Sequence, residues 1–386
     1  MKKEHYYLEG RLKKCVVAAI DRLGYTFVPA SIGNPPGERS LKKILLIRLD
    51  HIGDVLMTTP ALRGLRKSLP GAEIHLLIKS PTHEVVTLNP YIDRIIHLNA
   101  PWTTTGPNRA SWPEVVRVIR SLRKEDYDCV VDFRADLREA LLSLFIGATY
   151  RLGYGARGGG FCFTHPLEYN PGVHEIHRAI NLLSPLGVVS DGDKMDFVFS
   201  AGDLEKADTI LREIGVDFSR KIVGIHPGAA SPFKRWTANG FAELGDILME
   251  KGYRILLLGA QGDKDLLQSI AGRMRNSPPV ICKMNLKVLG AMISLLDCLV
   301  CNDSAPSHIA QAVGTKAFVL YGPTHDKVTG PLDREKYTVV RNPVPCSPCW
   351  LPGTKFECKH DLQCWKGLQA NDVLKAAEMI VDGIRS

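Results

Sequence analysis

Three short segments carry residues whose types and spacing could do chemistry. In RLDHIGDVLMTTPAL, Asp50, His51, Gly53 and Asp54 follow directly on the apolar run KKILLIRL that starts at Lys42. A carboxylate in the first turn of a helix is stabilised by the positive end of the helix dipole, and Gly53 lets a ligand come close. The competing explanation is that Asp54, or Asp50 in its place, caps the helix. In GIHPGAASPFKRWT a second apolar run ends in a Pro/Gly turn. Its amides near Gly228 and Ala229 suit phosphate oxygens, and Lys234 adds a mobile positive charge. The third segment, CLVCNDSAPSHIAQAVG, puts the capping residues Asn302, Asp303 and Ser304 before Pro306, with His308 one turn into a helix. Its outward N–H groups make either a second anion site or only a well-capped helix.

All three segments depend on the elements that carry them. From Lys42 onward short apolar runs alternate with amphipathic stretches, the pattern of a parallel sheet with helical crossovers. KKILLIRL, EIHLLI from Glu73, RIIHL from Arg94 and YDCVVDF from Tyr127 read as strands of one α/β domain. Helices are expected from Val55 and from Trp112, where leucines and valines recur at helical spacing. A second series has strands at Lys221, Tyr253, Asp297 and Ala317. Between the two lies a less regular stretch, 147–203, rich in Gly and aromatics, with a helix around His174 to Leu186. The expected division is an N-terminal extension 1–40, a first Rossmann-like domain 41–200 and a second 201–386. In such sheets ligands bind beyond the carboxyl ends of the strands, where the three segments fall.

Gly153, Gly155 and Gly158 spell G-x-G-x-x-G, but FCFTHP follows and no helix opens there, so the dinucleotide reading fails. The stretch is expected to be a mobile loop that orders over a substrate. No G-x-x-x-x-G-K-[ST] occurs, which argues against a nucleoside triphosphatase. With 386 residues, 45% hydrophobic and 23% charged, the chain is an ordinary globular one, long enough for about two domains. Its net charge of +8 favours anionic partners without naming them. No apolar run approaches the ~20 residues that span a bilayer, and the N-terminus lacks a signal-peptide core, so a cytoplasmic protein is expected.

In their order, the segments RLDHIGDVLMTTPALRGLRKSLPGAEIHLL, HPGAASPFKRW and NDSAPSHIAQAVGTKAFVLYGPT resemble glycosyltransferase family 9, the ADP-heptose:lipopolysaccharide heptosyltransferases. The resemblance runs from Lys42 to the C-terminus, including RLGY near Arg151 and the late cysteines. It implies a GT-B fold, two Rossmann-like domains facing across a cleft, and inverting, metal-independent transfer of heptose from an ADP-heptose donor to the lipopolysaccharide inner core. It also implies roles. Asp54 would be the general base, with His51 and Gly53 beside the acceptor. Lys234 would face the donor phosphates near Gly228 and Ala229, and Asp303, Ser304, Ala305 and His308 would hold diphosphate and heptose. Asp263 matches a family Glu near the nucleoside ribose. Two departures stand out: Ala305 replaces a glycine, and Gly228-Ala229-Ala230 lacks the hydroxyl often found there. Of the histidines in these loops, His51, His226 and His308, only His308 is expected near the sugar nucleotide. The implied partners are a sugar nucleotide, the core acceptor and an anionic inner-membrane surface, without nucleic acid. Two rivals remain: a family member using another nucleotide sugar, and a sugar-nucleotide-binding module without turnover.

Two features lie beside this scheme. Cys346, Cys349, Cys358 and Cys364 crowd a loop at 345–365, and four thiolates in a cytosolic loop read equally as a structural zinc site or as free thiols. No cofactor is expected in catalysis, and the loop is expected to lie off the catalytic path. Near the N-terminus, Leu12, Val16, Ala19, Ile20 and Leu23 form an apolar stripe among Arg11, Lys13, Lys14 and Arg22. The stripe fits either a helix touching an anionic membrane or one packed on its own domain.

Overall fold

A computed structural model describes residues 11–28, 41–350 and 356–381. Parts of the expected 1–40 extension (1–10 and 29–40) and of the cysteine loop (351–355) lie outside the described residues. The chain forms two compact units, Met1–Asp193 and Lys194–Ser386. The division precedes the one expected at Ser200 because the intervening segment belongs to the second unit. Phe197 packs against Gly290, and the Lys287 ammonium donates to the carbonyl of Val198.

Unit 1 is a six-stranded parallel sheet of β1 (Lys43–Arg48), β2 (Glu73–Ile78), β3 (Arg94–His97), β4 (Cys129–Asp132), β5 (Tyr150–Tyr154) and β6 (His165–Leu167), in the order β3-β2-β1-β4-β5-β6. Unit 2 repeats the plan with β7 (Ile222–His226), β8 (Arg254–Leu258), β9 (Val280–Ile281), β10 (Cys298–Asn302), β11 (Lys316–Leu320) and β12 (Tyr337–Val340), ordered β12-β11-β10-β7-β8-β9. Both are the doubly wound Rossmann order, so each sheet reverses direction at one point, between β1 and β4 and between β7 and β10.

Among helices of eight residues or more, α1 (Arg11–Phe27), α2 (Ile52–Ser68), α3 (Trp112–Arg123), α4 (Leu137–Ile146) and α5 (Glu175–Leu182) belong to unit 1. Unit 2 has α6 (Ala201–Glu213), α7 (Ala238–Glu250), α8 (Lys264–Ala271), α9 (Leu286–Ser294), α10 (Ala305–Val313) and α11 (Ala370–Val381). Ile44 to Ile47 in β1 are all fully buried, which is why that strand reads as an unbroken apolar run. Each such side chain contributes about 1.5–3 kcal/mol on leaving water.

The helix expected from Val55 starts three residues earlier, at Ile52, and so takes Asp54 into its first turn. It also runs through Pro60. Proline removes the N–H that would reach the Leu56 carbonyl, and the Thr59 hydroxyl donates to that carbonyl instead, at 2.7 Å. The helix therefore continues and its N-terminus stays fixed.

The glycine-rich segment is not a mobile loop. Gly158, Gly159 and Gly160 are buried, and the first two adopt positive φ, which glycine does without penalty. This folds the segment flat beneath α1, where the Gly159 N–H donates to Asp21 at 2.7 Å. A Cβ on Gly158 would come within 2.3 Å of Val17.

Candidate active site

At the switch point of unit 1, β1 ends in Arg48 and β4 in Asp132, side by side through the pairing of Ile47 with Asp132. Arg48 is buried, and one of its Nη atoms donates to the Phe133 carbonyl at 2.9 Å. The other lies 3.6 Å from Asp54 and 3.6 Å from Glu175, the first residue of α5. Asp50 turns back to accept from the N–H of His51 at 3.0 Å, and its other oxygen lies 3.6 Å from Arg134. Neither aspartate caps α2. The N-cap position is His51, without a side-chain bond, and Asp54 sits in the first turn.

Three carboxylates thus share one buried arginine. Burial, followed by the charges of Asp50 and Glu175, pushes Asp54 up to about 8 against the pull of Arg48. Burial acts on Asp50 in the same sense, but Arg48 and Arg134 outweigh it and hold Asp50 well below the usual carboxylate range. The pair therefore divides its roles: Asp50 stays an anion and Asp54 has a high proton affinity. A base is most effective when its pKa lies near working pH, so Asp54 is the group equipped to take a proton.

At the switch point of unit 2, the Lys234 ammonium donates to Asp303 at 2.7 Å. Asp303 is almost wholly buried. Burial would raise it, yet the charge of Lys234 keeps it below the ordinary range. Asp303 therefore spends its carboxylate on holding Lys234. Ser304 occupies the N-cap of α10 without capping it, because its hydroxyl donates to the Asn302 carbonyl. The start of α10, with Ala305 at its first position, thus keeps its partial positive charge unspent on a side chain. His308 is buried beside Asp303. Gly228 lies against Asp263, where a Cβ would come within 2.6 Å of the carboxylate. Asp263 closes its own turn onto the N–H of Ala260 and lies 3.6 Å from Arg235. Arg235 donates twice to the Ala229 carbonyl, which fixes the turn after β7. His226, with burial lowering its pKa, is a core residue of this loop.

Several working residues escaped the sequence reading. Arg48, Arg134 and Glu175 define the charge around Asp54, and Lys79, after β2, is buried in the same field. The sequence makes Asn302 a helix cap. Its amide instead donates to Pro227 at 2.7 Å and accepts from the Trp236 N–H at 3.0 Å, tying β10 to both flanks of the Lys234 loop. The available signal was position: each ends or follows a strand or starts a helix.

The cysteine loop lies close to the Lys234 turn. Cys346, Cys349, Cys358 and Cys364 are free thiols, and among the described residues no three His, Cys, Asp or Glu side chains are placed to hold a metal ion. Burial, and then the neighbouring thiols, raise the pKa of Cys349 and Cys364, so the four lie near one another, and no step below involves a metal at this loop. The segment packs beside Lys234. Both Cys349 and Trp350 donate their N–H to the Pro323 carbonyl at 2.8 Å. Lys234 lies 5.7 Å from the centre of the Trp350 ring, which stacks on Phe356. Trp365 donates to the carbonyl of Phe233 at 2.7 Å. The loop therefore packs against the turn that carries Lys234.

Residues 115–360 match the family model for glycosyltransferase family 9 (heptosyltransferase). The chain belongs to glycosyltransferase family 9. It is 29% identical over 281 residues to lipopolysaccharide heptosyltransferase 3 of Escherichia coli K12, covering 70% of this chain and 80% of that one. Among solved structures it resembles a family 9 glycosyltransferase from Veillonella parvula (TM-score 0.76, 24% identity, 89% of this chain and 98% of that one). It also resembles the ADP-heptose lps heptosyltransferase II of E. coli (TM-score 0.71, 20% identity, 89% and 100%). These likenesses establish the GT-B fold, and family membership makes the chain a glycosyltransferase.

In a family 9 enzyme with this aspartate pair, Asp50→Asn removes the negative charge that acts most strongly on Asp54 and leaves Arg48 one fewer carboxylate to balance. Both changes favour the Asp54 carboxylate, so its pKa falls. The rising limb of the pH–rate profile should then move down by about one unit or more. A limb that stays in place, or moves up, would show that Asp54 does not set it.

Proposed function

We propose that this chain transfers heptose from an ADP-heptose-type donor to the lipopolysaccharide inner core, with inversion and without a metal ion in the chemical step. The observation that carries the reading is the pairing of roles in one chain. A carboxylate of high proton affinity stands at one switch point, and a lysine with an uncapped helix start stands at the other. An inverting displacement at an anomeric carbon needs a base for the acceptor hydroxyl and positive potential for the departing diphosphate. Asp54 supplies the first. Lys234, oriented by Asp303, and the start of α10 supply the second. The printed names of the relatives, heptosyltransferases of lipopolysaccharide, support the choice of sugar and acceptor.

The proposed acceptor class supports a peripheral position on the cytoplasmic face of an anionic membrane. No helix among the described residues is long and apolar enough to cross a membrane. The main alternative is another nucleotide sugar, because these motifs address the diphosphate and the geometry of transfer more than the sugar itself.

A donor panel of ADP-heptose and representative UDP- and GDP-sugars, with deacylated core acceptor, tests the reading. The expected product gains the mass of one heptose from ADP-heptose alone, at a rate unchanged by EDTA, with inverted anomeric configuration by NMR. Transfer only from a UDP- or GDP-sugar would replace the donor assignment, and transfer from none would favour a binding module. Loss of activity with EDTA would refute metal independence.

A further inference from the structure

We propose that α1 is the element that docks this chain on an anionic lipid surface. The inference rests on the membrane-surface reading above and names the part of the molecule responsible. The helix has two working faces. One seals it to unit 1: Asp21, 2% exposed, accepts from the Gly159 N–H. Gly24 lies against the Phe161 ring, and Ile20 and Val28 join the small core around Phe161 and Phe163.

The opposite face is also apolar. Leu12, Val16, Ala19, Leu23 and Phe27 recur at steps of four, three, four and four along one line of the helix. Leu12 is 79% exposed, Leu23 60% and Phe27 78%. A helix that only covers a core would show the reverse pattern, with its large apolar residues inward. Ile20 alone of the expected stripe faces the domain.

The charge pattern selects the occupant. The charged side chains exposed on α1, Lys13, Lys14 and Arg22, are all cations, and its one acid, Asp21, is turned inward and buried. An apolar line about 22 Å long, from 1.5 Å per residue, bordered by cations suits the boundary between acyl chains and acidic headgroups. A second copy of the chain would be a poor occupant, because a two-fold interface would set the same cationic borders against each other.

The test uses the full-length protein and sedimentation with phosphatidylcholine vesicles, with and without phosphatidylglycerol. Wild type should bind the phosphatidylglycerol-containing vesicles, less strongly as salt rises, and bind pure phosphatidylcholine weakly. The combined variant Leu12→Ser, Leu23→Ser, Phe27→Ser should bind at least tenfold more weakly, and Lys13→Glu with Arg22→Glu should also lose binding. Both variants should keep wild-type transfer to a deacylated, water-soluble acceptor. Undiminished vesicle binding by the serine variant would overturn the role of α1 and leave the membrane reading intact. A wild type that binds neither vesicle would overturn both. A serine variant that changes oligomeric state by light scattering, with unaltered vesicle binding, would show the stripe to be a self-association surface and overturn the proposal.

Discussion

Asp54→Asn should give a folded protein that transfers sugar about two to four orders of magnitude more slowly, the range expected on losing a positioned general base. The fold should survive because the Asp54 side chain is 26% exposed and its nearest cation, Arg48, lies 3.6 Å away. That cation also has Glu175 at the same distance. Below about pH 8 Asp54 is mostly protonated, so Asn replaces a neutral side chain, and above it the substitution relieves the repulsion with Asp50 and Glu175 that pushes its pKa up. The variant should therefore melt at or slightly above the wild-type temperature while kcat collapses and donor affinity holds. Crowding three carboxylates around one arginine is costly to stability, and the return is a base matched to neutral pH. Turnover near wild type would remove Asp54 from the mechanism, and a marked loss of melting temperature would make it a structural residue.

How much of this was legible beforehand depended on where each residue finds its partners. Strands buried on both faces announce themselves as apolar runs, and β1, β2, β7, β8, β10 and β11 were all read this way. The strands β5, β6, β9 and β12 were not. β5 contains Gly153, whose missing Cβ makes room for the Phe163 ring, and β6 contains Pro166 on a sheet edge, where its missing N–H costs little. Both sit in the stretch that looked irregular. Asp54, Lys234 and Asp303 were visible because turn chemistry next to a strand end marks them locally. Arg48 was invisible as a site residue because its partner Glu175 is far away in sequence and meets it only through the packing of α2 on α5. The packed glycine segment was misjudged for a related reason. Glycine composition alone signals freedom, and only the tertiary contact with α1 shows that the freedom is used to fit a tight space. The cysteine loop looked peripheral because no pattern in its sequence mentions Phe233 or Lys234.

That loop bears on the second large effect. Lys234→Met should lower kcat by about 10²–10³, comparable to losing one preorganised charge aimed at a leaving group. The same substitution strands Asp303, which is buried and loses its 2.7 Å partner, so stability should also fall, by about 1–3 kcal/mol. The two losses can be separated. Adding Asp303→Asn removes the stranded charge, so the double variant should regain most of the melting temperature and little of the turnover. Lys234→Arg, which keeps the charge but presents a planar fork beside Trp350, should retain stability and recover only part of the rate. If the double variant recovered turnover together with stability, Lys234 would be no more than the partner of Asp303, and the positive potential for the diphosphate would have to come from the start of α10 alone. The geometry opposes that outcome. Asp303, Trp350 and the Trp365 bond to Phe233 all act on one short turn, and the side chain they hold in place is Lys234.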